Sequence, residues 1–242
     1  MPTPRKIPAV IETIHQHADN VKSFIMRPEK AVPKFKPGQF LHLALETYDP
    51  SSHWPESRVF SIANSPTRCQ TLRITFAVKG KFTSQMFYDV KEQDQVSLKL
   101  PYGNFTFLGE NEPYVFVAGG TGITPFASYL EYAIDQKLPK AIDLWYGVRS
   151  VDHVIFGELL SECQAKLSRF HLHLFLENPA PHLPFPDVKT GILPIKIILE
   201  QSQKKGNPIY YISGPPLMIK DVRGLLMDSG LKDDRIRVDA WE

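Results

Sequence analysis

Two patterns of hydrophobic and polar positions follow one another along the chain, and one replaces the other near residue 110. Up to that residue, short alternating or β-branched runs recur between turn residues, which is typical of antiparallel strands in a barrel. These runs are PAVIETIHQ, NVKSFIMRP, GQFLHLALE, RVFSIAN, TLRITFAVK and QVSLKLP. The first part of the chain is therefore predicted to be an antiparallel β-barrel.

After residue 110, apolar strands alternate with helical segments. The predicted strands are YVFVA, AIDLWYG, FHLHLFLE, IYYIS and RIRVDAW, and the predicted helices lie at 126–136, at 157–167, in ILPIKIILEQSQ and in PLMIKDVRGLLMDSG. This order predicts an α/β domain with a doubly wound, parallel, five-stranded sheet. We place the two domains at residues 1–110 and 111–242, with 109–113 as the linker.

The first strand of the second domain runs into a glycine-rich turn. Gly119, Gly120 and Gly122 allow a tight turn and a close approach to a ligand, and Pro125 suits the first turn of the following helix. Free amides and the helix dipole at such an N-terminus favour a pyrophosphate. Pro125 stands where the usual motif has its third glycine, but the strand before the turn and the helix after it support the prediction. The residues assigned to this site are Gly120, Thr121, Gly122 and Thr124.

Composition narrows the class of protein. The chain is 43% hydrophobic and 22% charged, and 28 Lys and Arg against 26 Asp and Glu give a net charge of +2. Without a basic run interleaved with aromatic residues, nucleic acid is not an expected partner. No segment reaches the ~18 apolar residues of a membrane span, and the N-terminus is too polar for a signal peptide, so we expect a cytoplasmic protein.

Metal and thiol chemistry are not predicted. The two cysteines, Cys69 and Cys163, cannot supply the four thiolates of an iron-sulfur cluster. His171 and His173 alternate on one predicted strand, and without a third ligand we interpret them as strand surface. We therefore predict no metal site.

These motifs, in this order, resemble the ferredoxin-NADP reductase superfamily of flavin reductases over nearly the whole chain. The flavin motif of that family, Arg-x-Tyr/Phe-Ser, is matched by Arg58, Val59, Phe60 and Ser61. The resemblance implies that Arg58 pairs with a flavin phosphate, Phe60 packs against the isoalloxazine and Ser61 hydrogen-bonds near N5. A guanidinium and an aromatic ring suit these roles. The alternatives are that Phe60 is core and Arg58 a surface charge.

A second flavin motif of the family, a glycine followed by Ser or Thr, is matched by GKFTS at residues 80–84. This segment is predicted to open the single helix of the barrel domain, where amides and one hydroxyl meet the flavin phosphate. The hydroxyl is that of Thr83 or Ser84. The residues assigned here are Gly80, Phe82, Thr83 and Ser84. The resemblance implies FAD rather than FMN, because most relatives use FAD.

Three more segments match the family. LKLPYGNF at 98–105 resembles its turn before the linker, although Leu100 replaces a glycine, and YGVRS at 146–150 and SGPP at 213–216 resemble the loops that line the nicotinamide nucleotide site. From these loops the resemblance assigns Arg149, Gly214 and Pro215 to nucleotide binding.

Two positions depart from the family pattern. Many relatives carry Cys-Gly after the fourth strand, with the thiol near the nicotinamide C4, whereas this chain has Ser213-Gly214. Ser61 and Ser213 are the residues expected to act on the reacting atoms. Relatives often end in an aromatic residue that covers the flavin, and Trp241 is penultimate here. Trp241 is expected either to cover the flavin or to seal the last strand against the core.

The strand FHLHLFLE ends in Glu177, and this residue bears on the choice of nucleotide. An acidic side chain at this point suits a free ribose 2'-OH, whereas a 2'-phosphate needs a basic one. The sequence therefore favours NADH. NADPH is the alternative, because Arg149 in the neighbouring loop could contact a phosphate.

The predicted function is that of an NAD(P)H-dependent flavin oxidoreductase that passes electrons from FAD to a separate acceptor, a ferredoxin-like protein or an oxygenase component. Four lysines of the barrel either attract an acidic carrier or are plain solvated surface: Lys34, Lys36, Lys79 and Lys81. Two alternatives are a non-catalytic flavin-binding electron-transfer subunit of a larger complex and a nucleotide-binding regulatory module without flavin.

Overall fold

A computed structural model of the chain describes residues 3–107, 112–178, 185, 188–204 and 206–239. The chain folds into two compact units. The barrel unit is Met1–Phe107 with Thr124–Tyr132, and the sheet unit is Leu108–Ile123 with Ala133–Glu242. The predicted boundary at residue 110 lies outside the described residues and stays a prediction.

Six antiparallel strands build the barrel unit. They are β1 (Arg5–Ala18), β2 (Val21–Pro28), β3 (Phe40–Ala44), β4 (Ser57–Ser61), β5 (Leu72–Ala77) and β6 (Gln95–Tyr102). They are hydrogen-bonded in the order β4-β3-β6-β1-β2-β5. Just beyond the edge strand β4, the Ala63 N–H donates to the Arg73 carbonyl of the other edge strand at 2.7 Å. The barrel is therefore nearly closed, as the alternating runs predict.

The long strand β1 contributes to the barrel core with a period-2 pattern. In β1, Ile7, Ala9 and Ile11 are buried, and the residues between them are not. The helix α1 (Lys81–Tyr88) adds Phe82, Met86 and Phe87 to the same core.

The sheet unit is built from parallel strands and helices. Its strands are β7 (Tyr114–Gly119), β8 (Ile142–Val148), β9 (Phe170–Leu176), β10 (Lys189–Thr190), β11 (Ile209–Ser213) and β12 (Ile236–Asp239). Its helices are α3 (Gly157–Lys166), α4 (Ile195–Gln203) and α5 (Pro216–Asp228), with short 3-10 turns at Gly120–Ile123, Val151–His153 and Asp233–Arg235. The helix α2 (Thr124–Asp135) belongs to the barrel unit up to Tyr132 and to the sheet unit after it. The predicted two-part fold is confirmed. The sheet has six strands rather than five, because the two exposed residues of β10 extend it without any apolar run.

The strand order places β7 at the centre of the sheet. All six residues of β7 are buried, as its continuous apolar run predicts. The order is β10-β9-β8-β7-β11-β12, so the chain winds outwards in one direction from β7 and then in the other from β11. In sheets of this kind, ligands bind where the winding reverses, beyond the carboxyl ends of the strands. In the part of the chain that the structure describes, no helix is long and apolar enough to cross a membrane.

Candidate functional site

The turn after β7 needs glycine at two positions for different reasons. Gly120 has φ +52°, in the left-handed region, and a Cβ atom there would meet nothing within 4 Å. A Cβ atom on Gly122 would lie 2.2 Å from the Ser213 carbonyl oxygen. Gly120 is therefore set by backbone conformation beside open space, and Gly122 by contact with another backbone.

The turn after β11 packs directly against the turn after β7. A Cβ atom on Gly214 would lie 2.7 Å from Met218 Cε and 2.9 Å from the Gly119 nitrogen. A Cβ atom on Gly119 would in turn lie 2.7 Å from Pro215 Cδ. The structure thus brings the two predicted nucleotide segments together at the point where the winding of the sheet reverses.

The helix that follows the first turn begins as the sequence predicts. Thr121 lies in the 3-10 turn, Thr124 is the first residue of α2, and Pro125 is the second. Met218, which the sequence analysis did not single out, packs on both turns from the first turn of α5. Its position three residues after Pro215 is the signal that could have found it.

Ser213 is held by a carboxylate that the sequence analysis also missed. Ser213 ends β11 and is 2% exposed, and its hydroxyl donates to Asp239 Oδ2 at 3.1 Å. Asp239 is the residue directly opposite it on β12 and is itself 5% exposed. The Ser213 side chain is therefore fixed at the end of the strand by a buried hydrogen bond.

Arg149 and Glu177 lie beyond the carboxyl ends of adjacent strands. The Asn178 N–H donates to the Arg149 carbonyl at 2.8 Å, and the Glu177 N–H to the Val148 carbonyl at 3.0 Å. Both charged side chains are exposed. Arg149 and Glu177, the two residues predicted to select the nucleotide, therefore lie on backbone segments that are hydrogen-bonded to each other.

Tyr146 holds the loop that follows Arg149. Its phenol donates to the His153 carbonyl at 3.2 Å and accepts from the Ile155 N–H at 3.3 Å. Burial raises the pKa of Tyr146 well above its usual value, so the group stays neutral. Its role in the segment YGVRS is structural.

In the barrel unit, the two predicted flavin segments meet through Arg58 and Phe82. The Arg58 guanidinium carbon lies 5.1 Å from the centre of the Phe82 ring, a cation-π contact. Arg58 also pairs with Glu56 at 2.8 Å and is half exposed. Its charge is therefore oriented by neighbours and open to solvent.

Phe60 and Ser61 are buried at the end of β4. Phe60 is 9% exposed, belongs to the barrel core and packs edge-to-face on Phe76 at 6.0 Å. Ser61 is 7% exposed, and Val59 is half-buried opposite His42. Phe60 is thus a core residue in this structure. Its stacking on a flavin stays a prediction.

Thr83 and Ser84 differ in how their hydroxyl groups are used. Thr83 Oγ1 accepts hydrogen bonds from the Lys79 N–H at 2.8 Å and the Gly80 N–H at 3.1 Å, so it caps α1. The Ser84 hydroxyl forms no hydrogen bond with any described residue. Ser84 is therefore the better placed of the two to bind a ligand.

The remaining predicted residues are placed as follows. Trp241 lies outside the described residues. The lysines considered for an acidic carrier are all exposed: Lys34, Lys36, Lys79 and Lys81. Of the two histidines interpreted as strand surface, His171 is exposed, whereas His173 is half-buried and stacks on the buried Trp145 at 3.9 Å. Among the residues the structure describes, no group of three His, Cys, Asp or Glu side chains could hold a metal ion.

Comparison with known proteins finds a matching family model and related sequences. The family model "Oxidoreductase NAD-binding domain" matches residues 116–224. A Na(+)-translocating NADH-quinone reductase subunit of Chlamydia pneumoniae is 26% identical, over 92% of this chain and 66% of that protein. Other curated relatives with the same name are matched over 40% to 49% of their length, so the chain spans between about two fifths and two thirds of these proteins.

Solved structures share the fold at low sequence identity. The FAD/NAD-binding domain of nitric oxide dioxygenase from Vibrio cholerae has a TM-score of 0.79 at 21% identity, covering 97% of this chain and 98% of that one. A ferredoxin NADP+ reductase from Neisseria gonorrhoeae with bound FAD and NADP has a TM-score of 0.76 at 19% identity, covering 99% of both chains. The chain therefore shares the fold of these FAD- and NAD(P)-binding structures, and its residues 116–224 match the NAD-binding domain of oxidoreductases.

Proposed function

We propose that the chain is an NADH-dependent flavin oxidoreductase that reduces a separate acceptor protein through FAD. The observation that carries the proposal is the pair of glycine turns packed together where the winding of the sheet reverses. The relatives support it, because those matched in sequence are named NADH-quinone reductase subunits and the Neisseria enzyme holds FAD and NADP.

The barrel residues fit a flavin that carries phosphate. Arg58 presents a solvent-open guanidinium, and Ser84 offers a hydroxyl with no partner among the described side chains and backbone. Gly80 has nothing within 4 Å of its Cβ position, so backbone at the start of α1 is open to a ligand. We assign the phosphate contacts to Arg58 and Ser84, and the contact near the flavin N5 to Ser61.

The sheet residues fit a dinucleotide. Gly120 and the start of α2 supply backbone amides for a pyrophosphate, while the turn at Gly214 and Pro215 lines the same end of the sheet. Ser213 is held by Asp239, so its position is fixed before the nucleotide binds.

The chemistry needs little from the side chains beyond positioning. A bound flavin supplies the redox step, since it accepts a hydride from a reduced nicotinamide and can release the two electrons singly. The protein residues orient the two partners and exclude water, and no strong acid or base is required. Electrons then leave to an acceptor, for which the exposed Lys34, Lys36, Lys79 and Lys81 are the proposed attraction if it is acidic.

The test is an anaerobic titration of the FAD-reconstituted protein with NADH, following flavin absorbance at about 450 nm. Stoichiometric bleaching is the expected result. Because Glu177 favours a free 2'-OH, kcat/KM for NADH is expected to exceed that for NADPH by about tenfold or more. A preference for NADPH would assign the adenosine phosphate to Arg149 instead.

The other outcomes of this titration contradict the proposal in distinct ways. Bound flavin that NADH does not bleach would indicate an electron-transfer subunit that works only inside a larger complex. A protein that stays colourless after reconstitution would indicate a nucleotide-binding module without flavin.

Replacing Ser213 by cysteine is expected to change the rate of flavin reduction more than the affinity for nucleotide. The two side chains have similar size, so the packed turns should still bind NADH. A thiol is a weaker donor, so the side chain is held less firmly by Asp239 than the Ser213 hydroxyl is. Stopped-flow reduction measures both quantities. Ser161→Cys, on the exposed face of α3, is the control, and an unchanged rate in Ser213→Cys would refute the assignment.

A further inference from the structure

A buried carboxylate on α2 holds the chain just beyond the flavin strand. Glu131 is 4% exposed, and its carboxylate accepts hydrogen bonds from the Ser65 N–H at 2.9 Å and from Arg73 Nη2 at 2.5 Å. The same Arg73 nitrogen donates to the Ala63 carbonyl at 2.8 Å. A second arginine, Arg68, lies 4.0 Å from the same carboxylate. Glu131 and Arg73 thus fix two backbone groups of the segment that follows β4, the Ser65 N–H and the Ala63 carbonyl.

A second contact joins the same segment to the same helix. Ser128, which is fully buried, donates from its hydroxyl to the Asn64 carbonyl at 2.8 Å. The Asn64 side chain in turn donates to the carbonyls of Arg68 and Thr71, both at 3.0 Å. Because Ser128 and Glu131 are three residues apart, they share one face of α2. This face of α2 hydrogen-bonds two consecutive residues of the segment, Asn64 and Ser65.

The stability of the fold alone does not account for an ion pair at this position. The Glu131 carboxylate is buried and loses its hydration, while the Arg73 side chain stays 22% exposed. Apolar side chains of the same volume are often as stable as such a pair or more so. What hydrogen-bonded charges add is a fixed geometry between the two backbones they join. Here those backbones are α2 and the residues just after Ser61.

Both ends of this contact are close in sequence to a proposed ligand site. The backbone groups held by Arg73, Ser128 and Glu131 belong to residues 63–65. These residues follow closely on Ser61, the last residue of the flavin motif and of β4. Helix α2 begins at Thr124, directly after the glycine turn Gly120–Ile123. A displacement of α2 along its axis would therefore move both the backbone that follows β4 and the glycine turn Gly120–Ile123.

We propose that Glu131 is a positioning residue that links nucleotide binding at the glycine turn to flavin binding at β4 through α2. This inference rests on the proposed function. A ligand that restricts the motion of the turn also restricts the motion of the start of α2. Because Ser128 and Glu131 hydrogen-bond the segment after Ser61, the motion of that segment is restricted as well. The second ligand then costs less conformational entropy to bind, so each ligand raises the affinity for the other by the same factor.

The test measures FAD affinity of the apoprotein with and without saturating NAD+, which binds but cannot reduce the flavin. Quenching of FAD fluorescence reports the dissociation constant. In the wild-type chain NAD+ is expected to lower it by about fivefold or more, the lower end of usual coupling factors. In Glu131→Gln the ratio of the two constants is expected to fall to about one, as the charge that holds Arg73 is gone.

The matched control is Glu162→Gln, which makes the same change in an exposed helix pair with Lys166 on α3 and should keep the wild-type ratio. The ratio is the decisive readout, because a residue that only stabilises the fold would weaken FAD binding equally with and without NAD+. If Glu131→Gln fails to fold by circular dichroism, Ser128→Ala tests the same contact with the ion pair intact. Its ratio is expected to fall by about half or more.

The results that overturn this inference differ from those that overturn the proposed function. Wild-type protein that binds FAD with a ratio of one, or variants that keep the wild-type ratio, would remove the link through Glu131 and leave the flavoenzyme in place. Wild-type protein that binds no FAD would overturn the proposed function, and the link with it.

Discussion

Gly122→Ala is expected to weaken nucleotide binding by about 5- to 150-fold. The new methyl group would lie 2.2 Å from the Ser213 carbonyl oxygen and 2.6 Å from Gly214 Cα, so the two turns must move apart. Such overpacking costs about 1–3 kcal/mol, and at this position most of the displacement falls on the backbone proposed to meet the pyrophosphate. Calorimetric titration with NAD+ measures the loss.

The control for this substitution is another glycine of the sheet unit. Gly224 lies inside α5 and has nothing within 4 Å of its Cβ position. Gly224→Ala is therefore expected to stabilise the protein by about 0.5–1 kcal/mol and to leave NAD+ affinity unchanged. If Gly122→Ala bound NAD+ like Gly224→Ala, the packed turns would not be the nucleotide site.

Arg58→Gln is expected to weaken FAD binding by about 10- to 150-fold with little change in stability. A hydrogen bond to a charged group contributes about 1.5–3 kcal/mol, and the proposed partner of Arg58 is a flavin phosphate. Its present partner, Glu56, forms only an exposed pair, which adds little to the fold. FAD fluorescence titration and thermal unfolding of the apoprotein separate the two effects.

Arg27→Gln provides the comparison, because it removes an equally exposed arginine of the same barrel. Arg27 lies on β2 and approaches Glu12 at 3.9 Å, and β2 pairs with β1 and β5 rather than with β4. FAD affinity should not change in this variant. Equal losses in the two variants would mean that general positive charge, rather than a contact at Arg58, attracts the flavin.

Local patterns in the sequence predicted most of the fold. The strand β1 alternates between buried and more exposed residues, and β7 has the continuous apolar run of a strand buried on both faces, so both strands can be predicted from local sequence alone. The pair Lys189–Thr190 has neither pattern, and it is a strand only because β9 offers it an edge. The amphipathic pattern of α2 predicts that one face is buried. The pattern does not indicate whether the barrel core or the sheet core covers that face.

The candidate site divides in the same way. Glycines that a turn requires, such as Gly120 and Gly122, are visible in sequence because few other residues fit them. Partners that meet only after folding are not visible, and Asp239 and Glu131 are of this kind. Phe60 shows a further limit, since a buried core ring and a flavin-stacking ring are the same residue type at the same strand position.

The sharing of α2 between the two units bears on how such a chain could be cut or recombined. A fragment ending at the predicted linker would contain β4 and β5 but not the nine residues Thr124–Tyr132 that belong to the barrel unit. Arg73 would lose the carboxylate of Glu131, and the Phe107 ring would lose Tyr129, whose ring centre is 4.3 Å away. The two halves are thus modules in sequence order but not in packing, and an exchange between relatives would have to carry α2 along with the barrel it covers.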